Sequence, residues 1–155
     1  NEDINFKVLK KFLDLFETKK RIIITTNSNI YQSGNNFRHF TGLTLFDDFF
    51  LNTKDNTLSD NNLSTTDIYE LNNYYYMNRD KNKIEYINDN LKKIANEYDI
   101  QILYKEDFQC EILNKICFGV TNQGMKIHYD YGHFTIEGAK FFGKKIFDLN
   151  WLKIN

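Results

Sequence analysis

The sequence predicts an α/β fold with three layers, in which a parallel sheet lies between two layers of helices. Residues 21–26 form an almost continuous β-branched run, and residues 100–104 form a second short apolar run. Strands that are buried on both faces of a parallel sheet have this composition. Each run follows a stretch in which apolar residues recur at helical spacing, and this alternation of helix and strand is typical of α/β layer folds.

The size and charge of the chain limit the classes of partner. Its 155 residues suit a single domain over residues 1–155. The formal net charge is -1, so no basic surface is expected for a nucleic acid or for anionic lipid. No apolar run approaches the roughly 18 residues that a membrane-spanning helix needs. We therefore expect no nucleic-acid partner and no membrane segment in this chain.

The first half should contain a helix over residues 3–20, a strand over residues 21–26 and an irregular stretch over residues 27–62. The apolar stripe of the helix consists of Ile4, Val8, Leu9, Phe12, Leu13 and Phe16. Clusters of Asn, Ser and Gly favour turns in the irregular stretch, and the secondary structure of residues 43–51 within it is ambiguous. A long loop after a parallel strand often carries ligand contacts in α/β proteins, and a surface loop without a special role is the alternative.

The second half repeats the order of helix and strand. Ser64 to Asp67 offer N-cap residues for a short helix toward Tyr76. The tyrosines at 74–76, near the end of this helix, should serve helix packing or, if exposed, stack on sugar rings. A longer helix is predicted over residues 79–98, with the stripe Ile84, Ile87, Leu91, Ile94 and Ala95, before the strand at 100–104. The last helix should begin at Thr135 and direct inward the side chains of Ile136, Ala139, Phe142 and Ile146.

The most informative residues are Asp130 and His133, which lie three positions apart just before the last helix. An Asp in this place can accept the Nδ1 proton of the imidazole, fix its tautomer and stabilise the imidazolium that forms when Nε2 takes a proton. Gly132 keeps the turn between them uncrowded, and Gly138 with Ala139 leaves the first helical turn small enough to pack closely on a neighbouring element. The spacing alone is common by chance.

The residues around this pair resemble the final block of the SGNH/GDSL hydrolases. His133 is followed by an aromatic residue, by Thr135 and then by Gly138 and Ala139. The resemblance covers about residues 84–149 and extends to SGNH domains attached to membrane O-acetyltransferases of the acyltransferase-3 type, through Ile102, Leu103, Tyr104, Cys110, Cys117, Gly124 and Tyr129. It implies a flavodoxin-like parallel sheet and a serine-type esterase or O-acyltransferase that acts on an acylated carbohydrate or a similar small ester.

In that family the Asp and His complete a Ser–His–Asp triad, so the resemblance implies that His133 is the general base and that Asp130 orients it. It implies no metal and no organic cofactor. The chain departs from the family because it has no Gly-Asp-Ser motif, and we expect the N-terminal strand and the nucleophile to lie outside it. Ser28 and Ser33 are weak substitutes for the nucleophile, and Asn27 and Asn29 are better explained as turn residues than as oxyanion donors.

Two interpretations compete with the esterase. One is a non-catalytic α/β binding or structural domain derived from the same scaffold, and the other is a small metal-binding domain that uses cysteine and histidine. Cys110 and Cys117 favour a local disulfide over free thiols, and favour zinc binding least, because their spacing is wider than usual for zinc ligands. A disulfide would favour an extracytoplasmic location. His39 and His128 are expected to be surface or structural histidines.

Overall fold

In a computed structural model of the chain, the described residues are 2–15, 22–26, 44–52, 63–130 and 133–152. Within these ranges the helices are α1 (Glu2–Asp14), α2 (Leu45–Asn52), α3 (Thr65–Met77), α4 (Lys81–Glu97), α5 (Glu106–Gln109) and α6 (Ile136–Asp148). The strands are short: β1 (Ile23–Thr25), β2 (Gln101–Leu103), β3 (Cys110–Glu111) and β4 (Ile116–Cys117). A 3-10 helix over Ile112–Asn114 connects β3 to β4.

The strands form two separate pairs. β1 and β2 are parallel, with Ile24 opposite Ile102, whereas β3 and β4 form an antiparallel pair in which Cys110 lies opposite Cys117. The prediction of a three-layer fold around a parallel sheet was therefore wrong for the described part of the chain. The two apolar runs do pair in parallel, but each contributes only three residues, and Thr25 faces solvent. A pair of this length cannot bury helices on both of its faces.

The core consists of three apolar clusters that join different elements. The first joins α2, α3 and the β3–β4 pair, the second joins α1, β1 and α4, and the third joins α5 to α6. The buried members of the third cluster are Phe108, Phe118, Ile127 and Phe142. Val120 belongs to the first cluster and Ile127 to the third, so the segment that joins them contacts both clusters. These clusters do not test the prediction of one domain over residues 1–155, which stays a prediction.

The starts of the helices follow the sequence closely. Ser64 caps α3 in a reciprocal capping box with Asp67, and Thr135 accepts a hydrogen bond from the backbone N–H of Gly138 at the start of α6. Both N-cap predictions are confirmed. The ambiguous stretch at 43–51 overlaps α2, which Asp47 supports by accepting hydrogen bonds from the backbone N–H and the hydroxyl of Thr44, each at 2.7 Å.

The buried faces of the first and last helices differ from the prediction. In α1 the core side is formed by Phe6, Leu9 and Leu13, whereas Val8 and Phe12 are mostly exposed. The helix is also shorter than expected, because it ends at Asp14. Its apolar residues cover more of its circumference than the neighbouring elements can bury, and packing against β1 and α4 selects one part of them.

The same change of face occurs in α6. Phe142 is buried and Ile146 packs against the third cluster, as expected, but Ile136 is 75 % exposed and Ala139 is also exposed. Gly138 takes the buried position instead, and a Cβ built there would lie 2.2 Å from the carbonyl oxygen of Ile127. The prediction of close packing at Gly138 and Ala139 is thus confirmed for Gly138 alone, and this glycine explains why α6 can lie directly against the backbone at Ile127.

Candidate functional site

The two residues at the centre of the prediction, Asp130 and His133, lie at the two ends of a turn before α6. Residues 131–132 between them are outside the described residues, so the prediction for Gly132 is not tested. The backbone N–H of Tyr129 donates to the carbonyl oxygen of His133 at 2.8 Å, and the N–H of Thr135 donates to the carbonyl oxygen of Ile127 at 2.9 Å. These bonds bracket an antiparallel bridge between His128 and Phe134. The turn is therefore fixed on both sides by backbone hydrogen bonds.

The carboxylate of Asp130 contacts His133 twice. Its oxygens lie 2.8 and 2.9 Å from Nδ1 of the imidazole, and Oδ1 also accepts the backbone N–H of His133 at 2.8 Å. Because a carboxylate only accepts hydrogen bonds, we assign the proton to Nδ1, which leaves Nε2 able to accept one. The structure thus brings the two predicted residues together. Their assignment as catalytic residues stays a prediction.

The environment of this pair is open. The side chain of His133 is 79 % exposed and that of Asp130 is 24 % exposed, so the imidazole lies in solvent rather than in a closed cleft. Ser28, Ser33, Asn27 and Asn29 fall outside the described residues. Ser64 is the one serine within the described ranges, and its hydroxyl is held by Asp67 in the capping box of α3.

Next to the turn is a shallow groove that the sequence analysis did not predict. Its volume is about 500 Å³, and it is lined by apolar side chains together with Lys126, Thr135 and Glu137. We call it the apolar groove and define it by Met125, Tyr129, Phe134 and Ile136. Their exposed fractions are 50, 72, 44 and 75 %. It was missed because Ile136 was expected to point inward and because the other three residues belong to no helical or strand pattern.

The charged residues that line the groove have partners within the chain. Lys126 contacts both carboxylate oxygens of Asp47, at 3.0 and 2.9 Å, and Glu137 forms an ion pair with Lys140 at 2.7 Å. Burial acts to raise the pKa of Asp47, but hydrogen bonds from Thr44 and Lys126 outweigh it, so that the pKa lies below its ordinary value. Asp47 therefore stays ionised and fixes Lys126 at the groove.

His128 lies below the groove and is a structural histidine. Its ring is stacked on Tyr75 at 5.9 Å between centroids and also packs against Phe134 and Phe142. Its Nδ1 is buried and has no hydrogen-bond partner among the described residues. Burial, aided by the nearby charge of Lys126 and opposed by Asp130, lowers the pKa of His128 to about 4. The ring is consequently neutral at pH 7. His39 lies outside the described residues.

The tyrosines at 74–76 pack as predicted, since Tyr75 is 1 % exposed and Tyr74 and Tyr76 lie against the first core cluster. A crevice of about 310 Å³ lies on the other side of Tyr76. It contains the buried guanidinium of Arg79, which forms an ion pair with Glu106. The pair was not predicted because Arg79 and Glu106 are far apart along the chain.

Cys110 and Cys117 form a disulfide across the β3–β4 pair, and both residues are buried. The preferred interpretation of these cysteines is therefore confirmed, and neither thiol is available to a metal ion. The described residues contain no group of three or more His, Cys, Asp or Glu side chains placed to hold a metal. The extracytoplasmic location that a disulfide favours stays a prediction. None of the described helices is long and apolar enough to cross a membrane.

Comparison with known protein families decides the relationship of the chain. A family model described as "Trs120/TRAPPC9, second Ig-like domain" matches residues 5–149. The chain belongs to this family. No curated protein and no solved structure matches this member of the Trs120/TRAPPC9 family.

The family match overturns the resemblance to SGNH/GDSL hydrolases and the functions that it implied. A flavodoxin-like SGNH fold, an esterase or O-acyltransferase activity and a small ester or acylated glycan as partner were wrong for this Trs120/TRAPPC9-family chain. The motif misled because Asp130 has a local use. It accepts the backbone N–H and the ring N–H of His133, so the spacing has a local basis in turn geometry.

The family description names an Ig-like domain, which in general consists of two packed antiparallel sheets. In this Trs120/TRAPPC9-family chain the described residues are mostly helical and contain two pairs of short strands. The antiparallel elements among them are β3 with β4 and the two bridges Val120–Lys126 and His128–Phe134. The His128–Phe134 bridge flanks the turn that contains Asp130. Lys126 and Phe134, one residue from each bridge, line the apolar groove.

Proposed function

We propose that this chain is a non-catalytic domain that acts by binding other proteins, as part of a TRAPP complex subunit. The observation that carries the proposal is the match of the Trs120/TRAPPC9 family model to residues 5–149. This span includes the strands β1 to β4 and the turn with Asp130 and His133.

The geometry of the turn supports a non-catalytic role. A serine-type mechanism needs a nucleophile within hydrogen-bonding reach of the base and donors for the oxyanion. His133 is instead exposed to solvent, and Ser64, the one serine in the described ranges, is occupied at the cap of α3. Within the described part of the chain, the Asp–His pair stabilises a turn, and the turn supports the start of α6.

The protein-binding role is tested by affinity purification of the full-length protein that contains this chain, expressed at its natural level with a tag. Subunits of the TRAPP complex should be enriched over an untagged control when the bound proteins are identified by mass spectrometry. A tagged protein that recovers no TRAPP subunit above the untagged background would contradict the proposal.

The non-catalytic role has a separate test. The purified protein is incubated with p-nitrophenyl acetate, and the release of p-nitrophenol is compared with that of the His133→Ala variant. Equal, background-level release by both proteins is expected. Turnover by the wild type that disappears in His133→Ala, with folding intact by circular dichroism, would show that the imidazole is catalytic.

A further inference from the structure

We draw no further inference here: the strongest candidate, the crevice of about 310 Å³ between α4 and the segment that contains Tyr104 and Glu106, carries no proposal because the buried guanidinium of Arg79 within it is already paired with Glu106 and nothing in the structure shows what would fill it.

Discussion

The buried imidazole of His128 should make the stability of the fold depend on pH. In the unfolded chain a histidine has a pKa of 6.5, whereas burial lowers the pKa of His128 to about 4 in the folded chain. As the pH falls, the unfolded state therefore takes up the proton first. The free energy of unfolding should decrease from about pH 6.5 downward and stop decreasing, for this group, near pH 4.

The size of the effect follows from the two pKa values. The two pKa values are 6.5 in the unfolded chain and about 4 in the folded chain. At about 1.4 kcal/mol per pKa unit, the free energy of unfolding should be lower by about 3 kcal/mol once His128 is protonated in both states. By pH 5 about 2 kcal/mol of this should already be lost. A loss of this size is a large part of the 5–15 kcal/mol by which native domains are usually stable.

The measurement is urea unfolding at pH 7 and pH 5 with the disulfide intact. Trp151 is a suitable fluorescent reporter because its indole N–H donates to the carbonyl oxygen of Tyr104 at 2.9 Å and its ring packs on Phe108. His128→Phe replaces the imidazole by an apolar ring among aromatic neighbours, so the variant should lose about 2 kcal/mol less than the wild type between the two pH values.

The matched control is Leu113→Ala, at a side chain that is 98 % exposed. Its loss of stability between pH 7 and pH 5 should equal that of the wild type, because the replacement neither adds nor removes a titratable group. Titration of the carboxylates is common to all three proteins and cancels in the comparison. An identical loss in the wild type and in His128→Phe would refute the reasoning that His128 is buried in its neutral form.

Three further predictions concern the stability of the same region. The double variant Cys110→Ser/Cys117→Ser should lose about 2 kcal/mol in urea unfolding, because the disulfide closes a loop across a sequence separation of 7; no difference from the wild type would mean that the bridge does not form in solution. Gly138→Ala should lower the free energy of unfolding by about 1–3 kcal/mol, since the new Cβ would lie 2.2 Å from the carbonyl oxygen of Ile127; an unchanged thermal midpoint would show that α6 does not lie against that backbone. Ser64→Ala should cost about 1 kcal/mol by removing the N-cap of α3, and Ser64→Thr, which keeps the hydroxyl that donates to Asp67, should restore most of it; equal stability of both variants would rule out the cap.

The family membership also explains how the esterase prediction arose. A short motif of Asp, His, Thr and Gly before the last helix has a physical basis in this chain that is independent of catalysis. Asp130 stabilises a turn, Thr135 caps α6, and Gly138 allows the helix to approach Ile127. Each of these needs only neighbouring residues, so the same combination can occur in unrelated families.

The sequence by itself determined the features that depend on residues close together in the chain. The caps at Ser64 and Thr135, the helices α3 and α4 and the contact between Asp130 and His133 involve side chains within a few residues of their partners. Propensity and hydrogen bonding over one helical turn are sufficient to specify them.

Only the tertiary structure decided which faces are buried and where the exposed apolar surface lies. α1 and α6 carry apolar residues around much of their circumference, and packing against distant elements selected Leu13 and Phe142 for the core and left Phe12 and Ile136 outside. The pairing of β1 with β2 likewise joins residues that are distant in sequence, whereas the apolar groove lies within residues 125–137 and depends on which of them the neighbouring elements leave uncovered. Burial is a property of the whole assembly of elements, because an apolar side chain gains stability only when another element covers it.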